Sequence, residues 1–201
     1  MFDLLKRRSI RKYDGTFKIS NDEMLKIIAD AQRAPSSQNL QPIRFIVVES
    51  ADGKNRLKSC FTKNLSQLET SSAMICLFGD LNRYQWAEKI YSKAVDEGLM
   101  PKEVKQTQLQ SFANHKPWQN QLLNKKTIYI DGGIMANQLM HVARLHGYET
   151  CAIGGFDDTK INEALDVEPN LIPIMIVSIG KPAEDGYPSI RLDVNDVTSF
   201  R

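Results

Sequence analysis

Arg7-Arg8-Ser9-Ile10-Arg11 gathers three guanidinium groups and a hydroxyl into five residues. A guanidinium stays charged at any cellular pH and offers paired donors that match phosphate oxygens two at a time, so this run suits a phosphate monoester. A solvated basic helix end would have the same composition. A second piece, residues 34–42 (APSSQNLQP), sets Ser36, Ser37, Gln38, Asn39 and Gln41 between Pro35 and Pro42. Neutral donors and acceptors on restrained backbone suit the edge of a heteroaromatic ring or a sugar chain, and an ordinary polar turn is the plainer alternative. The third piece, Ile153-Gly154-Gly155-Phe156-Asp157, places two residues without side chains after an apolar segment. Glycines there let backbone amides approach a flat ligand, although a tight strand-to-helix turn would use them equally well. Ser189-Ile190-Arg191 adds one more arginine far along the chain.

Other chemistries find little support. The chain has no G-x-G-x-x-G after a strand, no G-x-x-x-x-G-K-[ST] and no G-x-S-x-G, which removes the usual grounds for a dinucleotide fold, a phosphate-binding loop or a serine hydrolase. His141 and His146 lie five residues apart, about 140° around a helix, and so point to different faces. No nucleophile comes with an obvious base. If the chain is an enzyme, the hard chemistry belongs to a cofactor.

The elements that must position these pieces follow from periodicity. Ser20 and Glu23 form a capping-box pair, and Met24, Ile27, Ile28 and Ala31 recur at helical spacing up to Ala34-Pro35. Residues 43–48 and 73–78 are apolar and β-branched, as buried strands are. A short helix is expected over 2–8 with Leu4 and Leu5 inward, and a longer one over 83–97 stopped by Gly98. A polar stretch over 101–124 carries no clear element. A central helix over 127–146, with Ile134, Leu139, Val142 and Ala143 apolar, is closed by Gly147. Strand 148–153, helix 158–165 and strand 171–179 complete a layered α+β or α/β body. Residues 183–201 lack a helical period and read as an arm that needs a surface to lie on, a partner subunit being one candidate.

With 201 residues, 42% hydrophobic and 25% charged, the composition is that of one globular domain. A net charge of +2 is too balanced for general nucleic-acid binding. Cys60, Cys76 and Cys151 are odd in number and far apart, which suits reduced, buried thiols. The N-terminus turns basic without an apolar core of the secretory kind. The most apolar segment, 171–179, contains Pro173 and is well short of the ~20 residues of a membrane span. A cytoplasmic protein, not bound to membrane, is expected.

In this order and at these separations, the pieces resemble the nitroreductase family of flavoproteins. RRSIR, APSSQNLQPIRFIVV, IDGGIMANQLMHVA and CAIGGFD each look like the family's corresponding segment, and together they span nearly the whole chain. The resemblance implies an α+β fold with a central, mostly antiparallel sheet flanked by helices. It implies one domain over 1–201 and an intertwined homodimer with exchanged 183–201 arms and FMN at the subunit interface. By the family's pattern the run Arg7, Arg8, Ser9, Ile10 and Arg11 meets the FMN phosphate and the pyrimidine side of the ring, and Arg191 joins at the phosphate. Pro35, Ser36, Ser37, Asn39 and Gln41 come from the other subunit, and Asn64 meets the polar edge of the ring. Ile153, Gly154 and Gly155 place a backbone N–H near flavin N5, which with Arg11 is the implied catalytic group. Many relatives have a second basic residue where this chain has Ser189, so phosphate binding leans on the N-terminal arginines.

The implied activity is transfer of hydride from NAD(P)H through flavin N5 to a small acceptor such as a nitroaromatic or quinone, by a ping-pong cycle. Reductive dehalogenation, flavin breakdown, or a flavin-binding sensor or interaction module without turnover are the alternatives. The segment 84–118, which in the family covers the open flavin face, matches nothing by residue.

Overall fold

A computed structural model describes residues 4–201. Four strands form one sheet in the order β1-β2-β4-β3, every neighbouring pair antiparallel: β1 (Ile43–Val48), β2 (Ala73–Asp80), β3 (Glu149–Ile153) and β4 (Leu171–Gly180). β2 is buried along its whole length, and its side chains divide with period two. Ala73, Ile75 and Leu77 join a core with Met24, Ile27 and Leu139, whereas Met74, Cys76 and Phe78 join a second core with Leu57, Leu68 and Ile161.

The helices on the first face are α1 (Asn21–Ala31) and α6 (Gln121–Leu145); those on the second are α2 (Ala51–Lys58), α3 (Leu65–Thr70) and α7 (Ile161–Ala164). The capping pair forms as its spacing predicts: the Ser20 hydroxyl accepts from the Glu23 N–H at 3.2 Å. A third small core, Leu40, Ala87, Tyr91 and Phe112, lies under α4 (Ala87–Asp96) and α5 (Lys102–His115). All three cysteines are free and buried.

Pro173 sits within β4, where a ladder N–H is missing, and the β2–β4 register shifts there between Leu77 and Phe78. A bulge is where a strand tolerates proline. The extra residue, Ile174, reaches α6: a Cβ on Gly132 would stand 2.7 Å from its side chain. Glycine at 132 is thus what lets the central helix lie close on the sheet.

Several expectations change. The first helix is only a 3-10 turn, Leu4–Lys6, with Leu4 and Leu5 exposed rather than inward, and positions 2 and 3 lie outside the described residues. The polar stretch 101–124 contains α5, which buries only Phe112, and the first turn of α6, which starts at Gln121 rather than 127. The helix expected over 158–165 shortens to Ile161–Ala164. The arm contains one helical turn, α8 (Val194–Val197). Among the described residues, no helix is long and apolar enough to cross a membrane.

Candidate functional site

The N-terminal run lies along the free edge of β3. Ser9 pairs in parallel with Thr150, the Ile10 N–H donates to the Thr150 carbonyl at 3.1 Å, and Tyr13 bridges to Pro182. Extended backbone alternates its side chains, so Ile10 enters the core at 3% exposure while Ser9 and Arg11 face the other way. Ile10 therefore fastens the run by its side chain. The Ser66 hydroxyl donates to the Arg11 carbonyl at 3.0 Å and ties the run to α3. None of Arg7, Arg8 and Arg11 has a carboxylate partner among the described residues. Arg8 donates to the Leu5 and Arg7 carbonyls, both at 2.9 Å, and the Arg11 guanidinium lies 5.4 Å from the centre of the Tyr187 ring. One Arg7 nitrogen, Nη1, is buried without a hydrogen-bond partner. This nitrogen and the unpaired charges beside it are donor capacity that the described residues do not satisfy.

Gly154 and Gly155 follow β3 on the same edge. Neither has a left-handed φ, and a Cβ on Gly154 would meet nothing within 4 Å. A tight turn therefore does not explain them. Ile153 is 3% exposed in the second core and contributes its backbone to this edge. The atom nearest a Cβ on Gly155 is the Asn64 Nδ2, 3.9 Å away. Asn64 has a left-handed backbone, φ 62°, and Gln67 donates to its Oδ1 at 3.2 Å, which leaves the amide nitrogen toward the glycines. The arginine run thus lies alongside β3, and a carboxamide and open backbone meet at the end of that strand.

The loop 35–42 is elsewhere, leading into β1 at the opposite edge, three strand spacings or about 14 Å of sheet away. Its backbone is strained: Gln38, Asn39 and Gln41 all have positive φ, at 57°, 53° and 47°. Such conformations persist where surrounding bonds over-determine them. The Ser37 N–H and hydroxyl both donate to the Asp131 carboxylate on α6, at 3.1 and 3.0 Å. Tyr91 donates to the Gln38 carbonyl at 2.8 Å, and Gln41 donates its N–H to the Ser36 hydroxyl at 3.0 Å. Pro35, Asn39 and Gln41 line a cavity of about 830 Å³ facing α4. No hydrogen bond, ion pair or ring contact joins this loop to the arginine run among the described residues. One chain thus divides the expected residues between the two edges of its sheet and the arm.

The arm explains part of the remainder. Gly186 lies on Arg8, where a Cβ would stand 2.2 Å from the Arg8 Cβ, and Tyr187 covers Arg11. Beyond them Ser189 and Arg191 are exposed, and Arg191 donates to the carbonyl of its neighbour Ile190 at 2.9 Å instead of joining the other arginines. Ile190 and Phe200 are each 96% exposed. α6 also leaves Leu123, Ile130 and Ile134 uncovered on one face.

Sequence reasoning missed the groups that support the loop. Asp131 and Arg83 are both about 2% exposed and stand 3.8 Å apart, and Arg83 donates to Asn124 at 2.9 Å. A lone carboxylate inside the apolar stretch of a central helix was the available signal. His141 has a buried Nδ1 without a partner, and burial, then Arg7 and Arg144, lower its pKa. Its neutral form therefore leaves the arginines as the charge of this edge. No cluster of residues able to hold a metal occurs among the described residues.

The model of the Nitroreductase family matches residues 4–181. YdgI of Bacillus subtilis (strain 168), named as an NAD(P)H nitroreductase, is 44% identical over 97% of this chain and 94% of its own. A Lactiplantibacillus plantarum protein named as a CLA biosynthesis enone reductase is 32% identical over 98% of this chain and 92% of its own. A crystal structure from Exiguobacterium sibiricum, described as a nitroreductase in complex with FMN, superposes with a TM-score of 0.94 at 43% identity, covering 100% of this chain and 98% of that one.

Proposed function

This chain belongs to the nitroreductase family, and from that membership we propose that it is an FMN-dependent oxidoreductase, active as a homodimer, that passes hydride from NAD(P)H to a small electron-poor acceptor such as a nitroaromatic or quinone. The observation that carries this reading is the free edge of β3, where arginines without carboxylate partners run alongside the strand and Gly154, with open space beside it, follows its end. Those residues fit FMN. Arg7, Arg8 and Ser9 would hold its phosphate with Arg191 of the arm, Arg11 would face the pyrimidine edge, and Asn64 and the Gly154 and Gly155 amides would donate to the ring. When bound, FMN supplies the redox chemistry, accepting hydride at N5 and releasing it to the acceptor. Positive charge and fixed N–H donors on this edge favour the extra negative charge of the reduced state, and they need no rearrangement to do so. Solvent protonates the product, so no side chain has to act as a general acid.

The opposite-edge position of Pro35, Ser36, Ser37, Asn39 and Gln41 supports a site shared by two copies, each lending its loop to the other. Residues 1–201 then act as one domain whose arm, 183–201, lies on the second copy, which covers Ile190 and Phe200. Donor and acceptor use the same opening in turn, which gives ping-pong kinetics. The place of work on this reading is the cytoplasm, where the reductant is made and buried thiols stay reduced.

The test is simple. Purified protein should be yellow, run as a dimer, and lose its flavin absorbance near about 450 nm when mixed with NADPH or NADH without oxygen. A colourless monomer that ignores added FMN, or a bound flavin that neither nucleotide bleaches, overturns the reading.

A further inference from the structure

The cavity beside the 35–42 loop carries more charge than the loop requires. Its volume is about 830 Å³, and its walls come from the end of α1, the loop, the start of β1, and α4. Arg33, Arg44, Lys89 and Lys93 line it against a single carboxylate, Glu97. Two of these cations are committed: Arg44 donates to Asp80 at 2.9 Å, and Lys93 stands 3.7 Å from Glu97. Arg33 and Lys89 have no carboxylate partner among the described residues, although Lys89 rests 5.6 Å from the centre of the Trp86 ring. The wall between them is firm, since the Trp86 indole N–H donates to buried Asp80 at 2.9 Å. Gln32, Asn39 and Gln41 add neutral amides, and Ala34, Ile90 and Ala94 add an apolar floor.

Two uncommitted cations over amides and aliphatic surface match a phosphomonoester dianion attached to a nucleoside. The cavity shares Pro35, Asn39 and Gln41 with the proposed flavin loop, so its occupant would sit next to the reacting ring. We propose that this cavity binds the adenosine 2′-phosphate end of NADPH, with Arg33 and Lys89 as the residues that make the protein prefer NADPH over NADH. The assignment rests on the function proposed above for the reductant, and it adds where that reductant's tail goes. A diester pyrophosphate, common to both nucleotides, gives no basis for preference; the monoester does, because it alone brings the second charge.

Calorimetry with adenosine 2′,5′-bisphosphate and with 5′-AMP tests the site without any flavin chemistry. The bisphosphate should bind the wild-type dimer more tightly than 5′-AMP, and the double variant R33A/K89A should weaken it roughly tenfold, with the wild-type affinity falling as salt rises. In steady state the same variant should lose roughly tenfold in kcat/KM for NADPH through KM, with NADH changed less than about twofold. Equal binding of the two nucleotides, or unchanged bisphosphate affinity in the variant, overturns the proposal. So does a variant that loses its dimer instead, since the cavity would then hold the acidic arm of the second copy. Flavin bleaching of the wild type by NADH reads the underlying function separately, and its failure alone would leave the nucleotide-binding result intact.

Discussion

The Arg11 side chain makes one weak hydrogen bond to its own chain, from Nη1 to the Ser9 carbonyl at 3.3 Å, and rests on Tyr187. Its removal therefore costs the fold little and the ligand much. Arg11→Ala should keep its melting temperature and weaken FMN by about 1.5–3 kcal/mol, the worth of a charge-assisted bond, as read by flavin fluorescence on titration. Unchanged FMN affinity would remove Arg11 from the site. Gly154 gives the complementary case. Because a Cβ there meets nothing within 4 Å, Gly154→Ala should fold within about 0.5 kcal/mol of wild type, yet lose flavin affinity or flavin reduction; a fully active variant would show that nothing approaches that backbone.

His146 is a residue-scale device of another kind. It is held by Glu23 at 2.8 Å and by Asp30 at 2.8 Å, and these hydrogen bonds, Glu23's first, raise its pKa above the ordinary 6.5. The protonated ring thus joins α1 to the end of α6. Since the folded value is the higher one, the stabilisation is fully present below pH 6.5 and disappears as pH rises through the raised value. The melting-temperature gap between wild type and His146→Gln should be widest near pH 6 and close in alkaline buffer; a gap independent of pH would mean that charge plays no part.

At the level of elements, α6 is the member that seats the loop. Its Asp131 takes both bonds from Ser37 and faces Arg83, so loop, central helix and the turn before α4 share one buried carboxylate. Asp131→Ala leaves Arg83 without its counter-charge and should cost about 3–5 kcal/mol in urea unfolding. Asp131→Asn, which keeps acceptors for Ser37, should recover part of the flavin retention lost in the alanine variant. Equal loss in both would indicate that only charge, and not the seat of Ser37, matters.

The same scale shows what could be read from residues alone. β2 and β4 announce themselves because strands inside the sheet are almost continuously apolar, β1 because its residues are mostly β-branched and apolar, and α1 because its cap and its spacing agree. α2 and α5 do not, since each buries a single residue, Leu57 or Phe112, and their stability comes from tertiary contact. The arginine run, the polar loop and the glycine pair were legible because their side chains, or lack of them, are unusual for plain packing. Ile10 was legible as part of the run, but its role as an anchor was not: only the pairing of Ser9 with Thr150 shows which side chains turn inward. Asp131 and Arg83 escaped notice because an isolated charge in a sequence does not reveal the partner that permits its burial.

At the scale of the whole molecule, a sheet four strands wide separates the arginine edge from the loop edge. Leu123, Ile130 and Ile134 of α6, and the apolar side chains of the arm, are uncovered, and the proposed dimer would bury them. Substituting Ile134, which is 39% exposed, with Glu would put charge on that seam; sedimentation should then find monomers that no longer retain flavin.

If two copies share each pocket as proposed, this division of labour across the sheet has a genetic corollary. A mutant crippled at Arg11 still owns a sound loop, and one crippled at Ser37 and Asn39 still owns sound arginines. At an FMN concentration too low to load either parent, each should be inert by itself, yet when the two are unfolded together and allowed to reassociate at random, half of the pairs are hybrids carrying one faultless pocket and one doubly spoiled one. Roughly a quarter of normal turnover should reappear from two dead parents.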